Sequence, residues 1–256
     1  MIYLSAQPDT TYFTWQLEIQ LRNLNSLGVT KDKIHVLVAY NKVLGLNPSF
    51  QNFINENIHL ANFFTYIDER EEPKYTSSVR PNILSQHFKL YPELSQEVIM
   101  YHDSDILFSR IPQINNLYED EVCYVSDTRN YLDINYIRAT SNENLLDEML
   151  GIVGLTKEKL IQENEETGGA QYILKGITAD FWEKVEVDSE NLYVAMTDFN
   201  RKLWEKEYPE KKILEVKKEE YKHGVPICGP FFGIFGWRIS PFRFTLKWNF
   251  HGLIAL

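Results

Sequence analysis

The 256-residue chain reads as an α/β protein built on a single sheet flanked by helices, and three observations carry that reading. Ile2 to Ala6 and Lys33 to Tyr40 are short apolar strands that bracket an amphipathic segment from Tyr12 to Leu27, the strand–helix–strand unit that a parallel pairing demands. Further apolar runs of strand length, His59 to Ile67 and Glu121 to Ser126, alternate with helical patterns. Finally, the run Val98-Ile99-Met100 stops abruptly at His102-Asp103-Ser104-Asp105 before a second apolar run, Ile106-Leu107-Phe108. Ligands of open α/β sheets collect outside the carboxyl ends of the strands, which is where Asp103 and Asp105 fall.

Taken in order, Gln7 to Thr11 is turn chemistry with helix-capping candidates. The following helix takes its apolar stripe from Trp15, Ile19 and Leu24, widened by Leu17 and Leu21, and closes at Gly28. Pro48 to Asn57 is a short helix, Glu69 to Lys74 a charged loop, and Ser78 to Leu90 a helix that tolerates Pro81 in its first turn. Leu145 to Ile161 is helical with a break at Gly151 to Gly154. Thr167 to Tyr172 is a glycine turn leading into Ile173-Leu174, and Ala179 to Trp204 is helical with interruptions around Asp188-Ser189. A change of character near residue 140 divides the chain into a first half, about 1–140, with a ligand expected at its strand ends, and a second, about 141–222.

Composition narrows the function classes. Apolar residues make up 44% of the chain without any run of membrane-spanning length, so no transmembrane segment is expected. The opening residues lack a basic region followed by an apolar one, and Cys123 and Cys228 have no metal or redox spacing. Reduced thiols and a cytoplasmic setting follow as expectations. A net charge of −10 argues against a nucleic-acid surface. An acidic protein can still hold a phosphorylated ligand where a metal or a few placed cations supply local positive charge.

Four constellations are candidates for chemistry. Asp103 and Asp105 interrupt buried structure, and two close carboxylates repel unless a cation lies between them; a surface turn with two acids is the plainer reading. Leu107 stands where an aspartyl-phosphate phosphatase pattern needs Thr or Val, which sets that pattern aside. Asp127 and Arg129 follow a strand in Val125-Ser126-Asp127-Thr128-Arg129, either as turn residues or as a sugar-hydroxyl acceptor and a phosphate contact. Gly168 and Gly169 permit a close backbone approach or positive φ. The Gln171 amide just beyond can donate to one hydroxyl and accept from another. Arg80, at a helix start, is a surface charge or a nucleotide-phosphate contact, and Gln7 after the first strand is a base or ribose contact by position.

Those segments resemble the GT-A-type glycosyltransferases, in particular the hydroxyproline- and serine-directed O-glycosyltransferases and their bacterial and phage relatives. Ser5-Ala6-Gln7-Pro8, Tyr101 to Ile106, Val125 to Arg129, Gly168 to Tyr172 and the helix around Phe181 to Lys184 run in the family's order over residues 1 to about 205. The resemblance implies a GT-A (Rossmann-like) sheet and a nucleoside-diphosphate sugar donor, UDP-sugar favoured. It implies Mn2+ or Mg2+ on Asp103 and Asp105. Arg80 and Arg129 would then assist the phosphates, while Asp127, Gly168, Gly169 and Gln171 meet the donor sugar or the acceptor, which is a glycan, a peptide or another hydroxyl compound. Two rival readings are a non-catalytic nucleotide-sugar or glycan-binding protein and a nucleotidyltransferase. The latter wants a glycine- and basic-rich loop where Gln7 to Thr11 stands.

After about Lys222 the resemblance stops. The family pattern continues with a tryptophan-rich acidic helix, whereas His223 to Gly233 is dense in glycine and proline. If each codon takes the third base of one codon and the first two of the next, this stretch can read Trp-Cys-Ala-Asp-Met-Trp. Residues 223–256 are therefore read as a frame-shifted tail, with a genuine divergent tail as the alternative, and His251 is discounted as a metal ligand for that reason.

Overall fold

The computed structural model describes residues 1–114, 117–119, 122–129 and 133–207, together with two short strand segments beyond them. In chain order the elements are β1 (Ile2–Pro8), α1 (Thr11–Ser26), β2 (Ile34–Tyr40), α2 (Pro48–Asn57), β3 (Asn62–Ile67), α3 (Val79–Leu90), β4 (Ile99–Tyr101), β5 (Ile106–Phe108) and β6 (Val122–Ser126). They continue as α4 (Ile134–Thr140), α5 (Glu143–Val153), α6 (Lys157–Gln162), β7 (Gly169–Leu174), α7 (Ala179–Glu207), β8 (Arg243–Phe244) and β9 (Leu253–Ala255).

The main sheet has the order β3-β2-β1-β4-β7-β6-β8. β1 pairs in parallel with β2 and β4, and β2 with β3, while β7 runs antiparallel between β4 and β6. This is the mixed α/β sheet flanked by helices that was expected, although it is not the single sheet of that expectation: β5 pairs antiparallel with β9 in a separate two-stranded sheet. Alternation along the strands splits the core in two. Ile2, Leu4 and Ala6 join Leu37, Ala39 and the inner faces of α3, α5 and α7. Tyr3, Val36 and Val38 join Leu17, Leu21 and Leu24 of α1 and Phe50 and Phe53 of α2.

The short helices begin where their capping residues predict. Asn47 Oδ1 accepts from Ser49 N at 2.9 Å to start α2, with Pro48 at its first position. Asn142 Oδ1 accepts from Leu145 N at 2.9 Å to start α5, which ends at Gly154 with φ of 71°.

Three expectations are corrected. The stripe of α1 that faces the sheet is Leu17, Leu21 and Leu24, each fully buried, whereas Trp15 and Ile19 are 46% and 40% exposed. Gln16 and Gln20 occupy the rest of the buried arc because the neighbouring loop supplies their hydrogen bonds. The break in the 145–161 segment falls after Val153, with Gly151 inside α5. Around Asp188-Ser189 the helix α7 is continuous, since Lys184 pairs with buried Asp188 one turn away and Ser189 Oγ donates to Glu186 O at 2.8 Å. Apart from β8 and β9, the tail from 223 onward, with Cys228 and His251, lies outside the described residues. Cys123 is buried, and among the described residues no helix is long and apolar enough to cross a membrane.

Candidate active site

The topology brings the carboxyl ends of β1, β4 and β6 to one end of the sheet and sets the start of antiparallel β7 among them. Tyr101 of β4 faces Tyr172, and Ser126 of β6 faces Gly169. Gln7, Asp103, Asp105, Asp127, Arg129, Gly168, Gly169 and Gln171 therefore lie toward one end of the sheet. Arg80, in the first turn of α3, joins them across the loop.

The 102–108 loop is held by polar side chains of α1. Gln20 Nε2 donates to Asp103 O at 2.7 Å and Ile106 O at 3.1 Å, and lies 3.2 Å from Nδ1 of the buried His102. Ser104 Oγ donates to Gln16 Oε1 at 2.8 Å. Asn23 makes a two-way contact with the Phe108 backbone, Nδ2 to O at 2.9 Å and N to Oδ1 at 2.8 Å. The effect is to satisfy the backbone of the turn from one side and leave both aspartate side chains half-buried on the other.

The two carboxylates then meet different fates. Asp103 Oδ1 accepts from Arg80 Nη1 at 2.8 Å. Asp105 has no ion-pair partner among the described residues, and burial together with the Asp103 charge pushes its carboxyl above the usual carboxylate range. The hard-oxygen donor set suits Mn2+ or Mg2+, and uncompensated negative charge is the electrostatic condition for taking one up. Among the described residues no third His, Cys, Asp or Glu joins the pair.

Arg80 is itself set by a framework that the sequence reading left as a charged loop. Arg70 donates to Asp68 at 2.8 Å, to Tyr75 O at 3.0 Å and to Ser78 Oγ at 2.7 Å. Glu190 of α7 accepts from Lys74 N at 2.8 Å, Tyr75 N at 3.0 Å and Ser78 Oγ. The segment entering α3 is thereby tied to α7.

Gln7 is buried, with Nε2 donating to Leu37 O at 2.6 Å, while its Oε1 has no partner among the described residues. Gly168 is required by packing: a Cβ there would overlap Val125 Cγ2 and stand 2.5 Å from Ser126 O. The positive φ in this turn belongs to Ala170, at 64°, beside the irregularity of the β6–β7 register at Val125/Ser126. Ser126 Oγ donates to Gly169 O, and Gln171 N lies 3.3 Å from the same hydroxyl.

Asp127 and Arg129 pair with each other, Nη2 to Oδ2 at 2.9 Å, and Arg129 Nη1 also donates to Glu165 Oε2 at 2.7 Å. The Arg129 hydrogen bonds hold the Asp127 carboxyl below its ordinary range. With Asp133, Asn135, Tyr136 and Ala139 these three residues line an open cavity of about 720 Å³. Sequence reasoning missed Gln16, Gln20, Asn23, Arg70, Glu190, Tyr136 and Glu165. For the α1 residues a signal existed, since polar amides sit at i, i+4 and i+7 within the apolar stripe.

No protein-family model matches the chain, and no curated protein matches it by sequence. Among solved structures it is similar to the galactosyltransferase LgtC in complex with donor and acceptor sugar analogs, with 12% identity, a TM-score of 0.42, and 77% of this chain and 70% of that one covered. An active-site mutant of LgtC gives 12% identity and a TM-score of 0.39, covering 83% of this chain and 66% of that one. The glycosyltransferase GlyE of Streptococcus pneumoniae TIGR4 gives 10% identity and a TM-score of 0.35 over 86% of this chain and 42% of GlyE, so the match spans less than half of that protein.

Proposed function

We propose that the chain is a metal-dependent GT-A glycosyltransferase that moves a sugar from a nucleoside-diphosphate donor, UDP-sugar by preference, to a hydroxyl acceptor. The observation that carries this reading is the asymmetry of the two strand-end carboxylates. Asp103 is paired with Arg80, whereas Asp105 is half-buried beside it without an ion-pair partner among the described residues, and burial and the Asp103 charge outweigh the more distant Arg80. Side chains in that state are stabilised by a bound cation, and an anionic ligand approaching an acidic protein needs the same cation. When bound, a divalent ion offsets the charge that grows on a leaving diphosphate.

Within this reading Asp103 and Asp105 hold the ion, and Arg80 orients Asp103 and meets a phosphate from the other side. Gln171 and Asp127, at the starts and ends of adjacent strands, offer an amide and an ionised carboxylate to sugar hydroxyls. Gly168 lets the start of β7 lie against Val125 and Ser126 of β6, close enough to hold both groups. Gln7 is buried behind the site with its amide on Leu37 O, and Arg129, engaged by two carboxylates, has two further N–H groups to offer a phosphate.

The test is release of UDP from a panel of UDP-sugars in Mn2+, before and after chelation, for the wild type and Asp105→Ala. Turnover that falls on the order of 100-fold in the variant and disappears with chelation is expected. Turnover indifferent to both would overturn the proposal. The second reading, a non-catalytic nucleotide-sugar or glycan-binding protein, is favoured by the absence of a third metal-ligating side chain among the described residues. It predicts calorimetric binding of UDP with Mn2+ and no release of UDP.

A further inference from the structure

We infer that the cavity beside β6 is the acceptor site, and that it takes an uncharged, hydroxyl-rich glycan and rejects anionic sugars. The inference rests on the sugar-transfer reading above and adds the class of acceptor to it. The cavity begins at Asp127, one residue past the end of β6, so it opens at the same sheet end as Asp103 and Asp105. Its volume of about 720 Å³ is ample for more than one sugar ring, since small-molecule sites typically run from roughly 300 to 1,000 Å³.

The chemistry of the lining selects the ligand. Among the described residues of the lining, Asp127, Asp133 and Glu165 set three carboxylates against one guanidinium, that of Arg129. Three of the five N–H groups of that guanidinium are engaged within the wall: Nε donates to Asp127 Oδ1 at 3.1 Å, Nη2 to Asp127 Oδ2 at 2.9 Å and Nη1 to Glu165 Oε2 at 2.7 Å. A carboxylate or phosphate entering here would meet the repulsion of three carboxylates and a guanidinium whose charge two of them already offset. Hydroxyl groups meet the opposite situation, because ionised carboxylates keep lone pairs free after each of these bonds.

Those acceptors are also held in place. Asp133 Oδ1 accepts from Tyr136 N at 2.7 Å as the cap of α4, and its Oδ2 accepts from Asn135 Nδ2 at 3.0 Å. Both bonds order the first turn of α4, so the wall is formed before any ligand arrives. Tyr136, half-buried in that turn, adds an aromatic surface with a polar tip, the combination that meets the C–H and O–H groups of a sugar ring.

The experiment uses the intact chain and saturation-transfer NMR with maltose, cellobiose and N,N′-diacetylchitobiose as neutral probes, and glucuronic acid and glucose 6-phosphate as anionic ones. At least one neutral disaccharide is expected to bind, with affinity lowered at least about 10-fold by Tyr136→Ala, and neither anion is expected to bind. Glu165→Arg, at an exposed position that tolerates change, is expected to admit the anionic probes. No binding by any neutral probe, neutral binding unaffected by Tyr136→Ala, or wild-type binding of an anion as tight as that of the best disaccharide would each overturn the inference. UDP binding in Mn2+, scored on the same samples, reports the donor side separately. UDP binding without glycan binding sinks the acceptor site alone, whereas glycan binding without UDP binding sinks the sugar-transfer reading.

Discussion

Helix α3 ends in two polar clusters that are opposites. At its C-terminal end His87 is fully buried between Tyr66, whose hydroxyl lies 2.6 Å from Nδ1, and His35, whose Nδ1 lies 3.3 Å from Nε2. A neutral His87 that accepts from Tyr66 carries its proton at Nε2 and donates it to His35, so every nitrogen of that ring has a partner. Burial holds both imidazoles neutral, lowering His35 to about 4 and His87 to about 3. At the N-terminal end Arg80 pairs with Asp103 and leaves Asp105 without an ion-pair partner among the described residues, so two carboxylates share one guanidinium. A cluster that serves only the fold closes its hydrogen bonds; one kept for a ligand leaves a charge open.

That contrast can be broken by mutation. Removing His87 should produce the largest effect. His87→Ala deletes a fully buried ring and strands the Tyr66 hydroxyl, so unfolding free energy from denaturant titration should fall by about 3 kcal/mol. Mn2+-assisted UDP binding by the folded protein should persist, because nothing at the other end of the helix has changed.

Acid should find the same weakness more gently. Both histidines have folded-state values below the unfolded one near 6.5, so the unfolded chain binds more protons as pH falls. Their contribution is complete above about pH 7 and is lost on acidification toward their folded values. Stability should drop on the order of 1 to 2 kcal/mol between pH 7 and pH 6, read as a lowered denaturation midpoint. His87→Ala should flatten that slope.

The smallest effect, and the one of opposite sign, belongs to the open site. Asp105→Asn removes a half-buried charge repelled by Asp103, so stability should stay level or rise by up to about 1 kcal/mol. A clear loss would mean that Asp105 is a structural residue and would erase the distinction between the two ends of α3.

Much of this was legible in the residues. β1, β2, α2 and α3 follow from apolar period and capping chemistry, and the interruption of a buried run by Asp103 and Asp105 marked the strand end that gathers the site. Other features were not legible because their partners lie far away in the chain. Gln20 interrupts the apolar stripe of α1, but what it binds is hidden until the backbone of the 102–108 loop, more than 80 positions on, is set beside it. Trp15 reads as core because periodicity counts apolarity and cannot see that an amide with a distant hydrogen-bond partner has taken the buried place. Arg129 reads as a free phosphate ligand until Glu165 is brought to it across 36 positions.

The amino-acid sequence alone determined the alternation of strands and helices and the placement of two acids after a buried strand, since these depend on side-chain period and on local turn and cap chemistry. Only the tertiary structure decided that β7 runs antiparallel between β4 and β6, that Arg80 answers one aspartate and leaves the other, and that Arg129 closes on two carboxylates. Each of these is a pairing between groups remote in sequence, and its free energy exists only once the chain has removed them from water together.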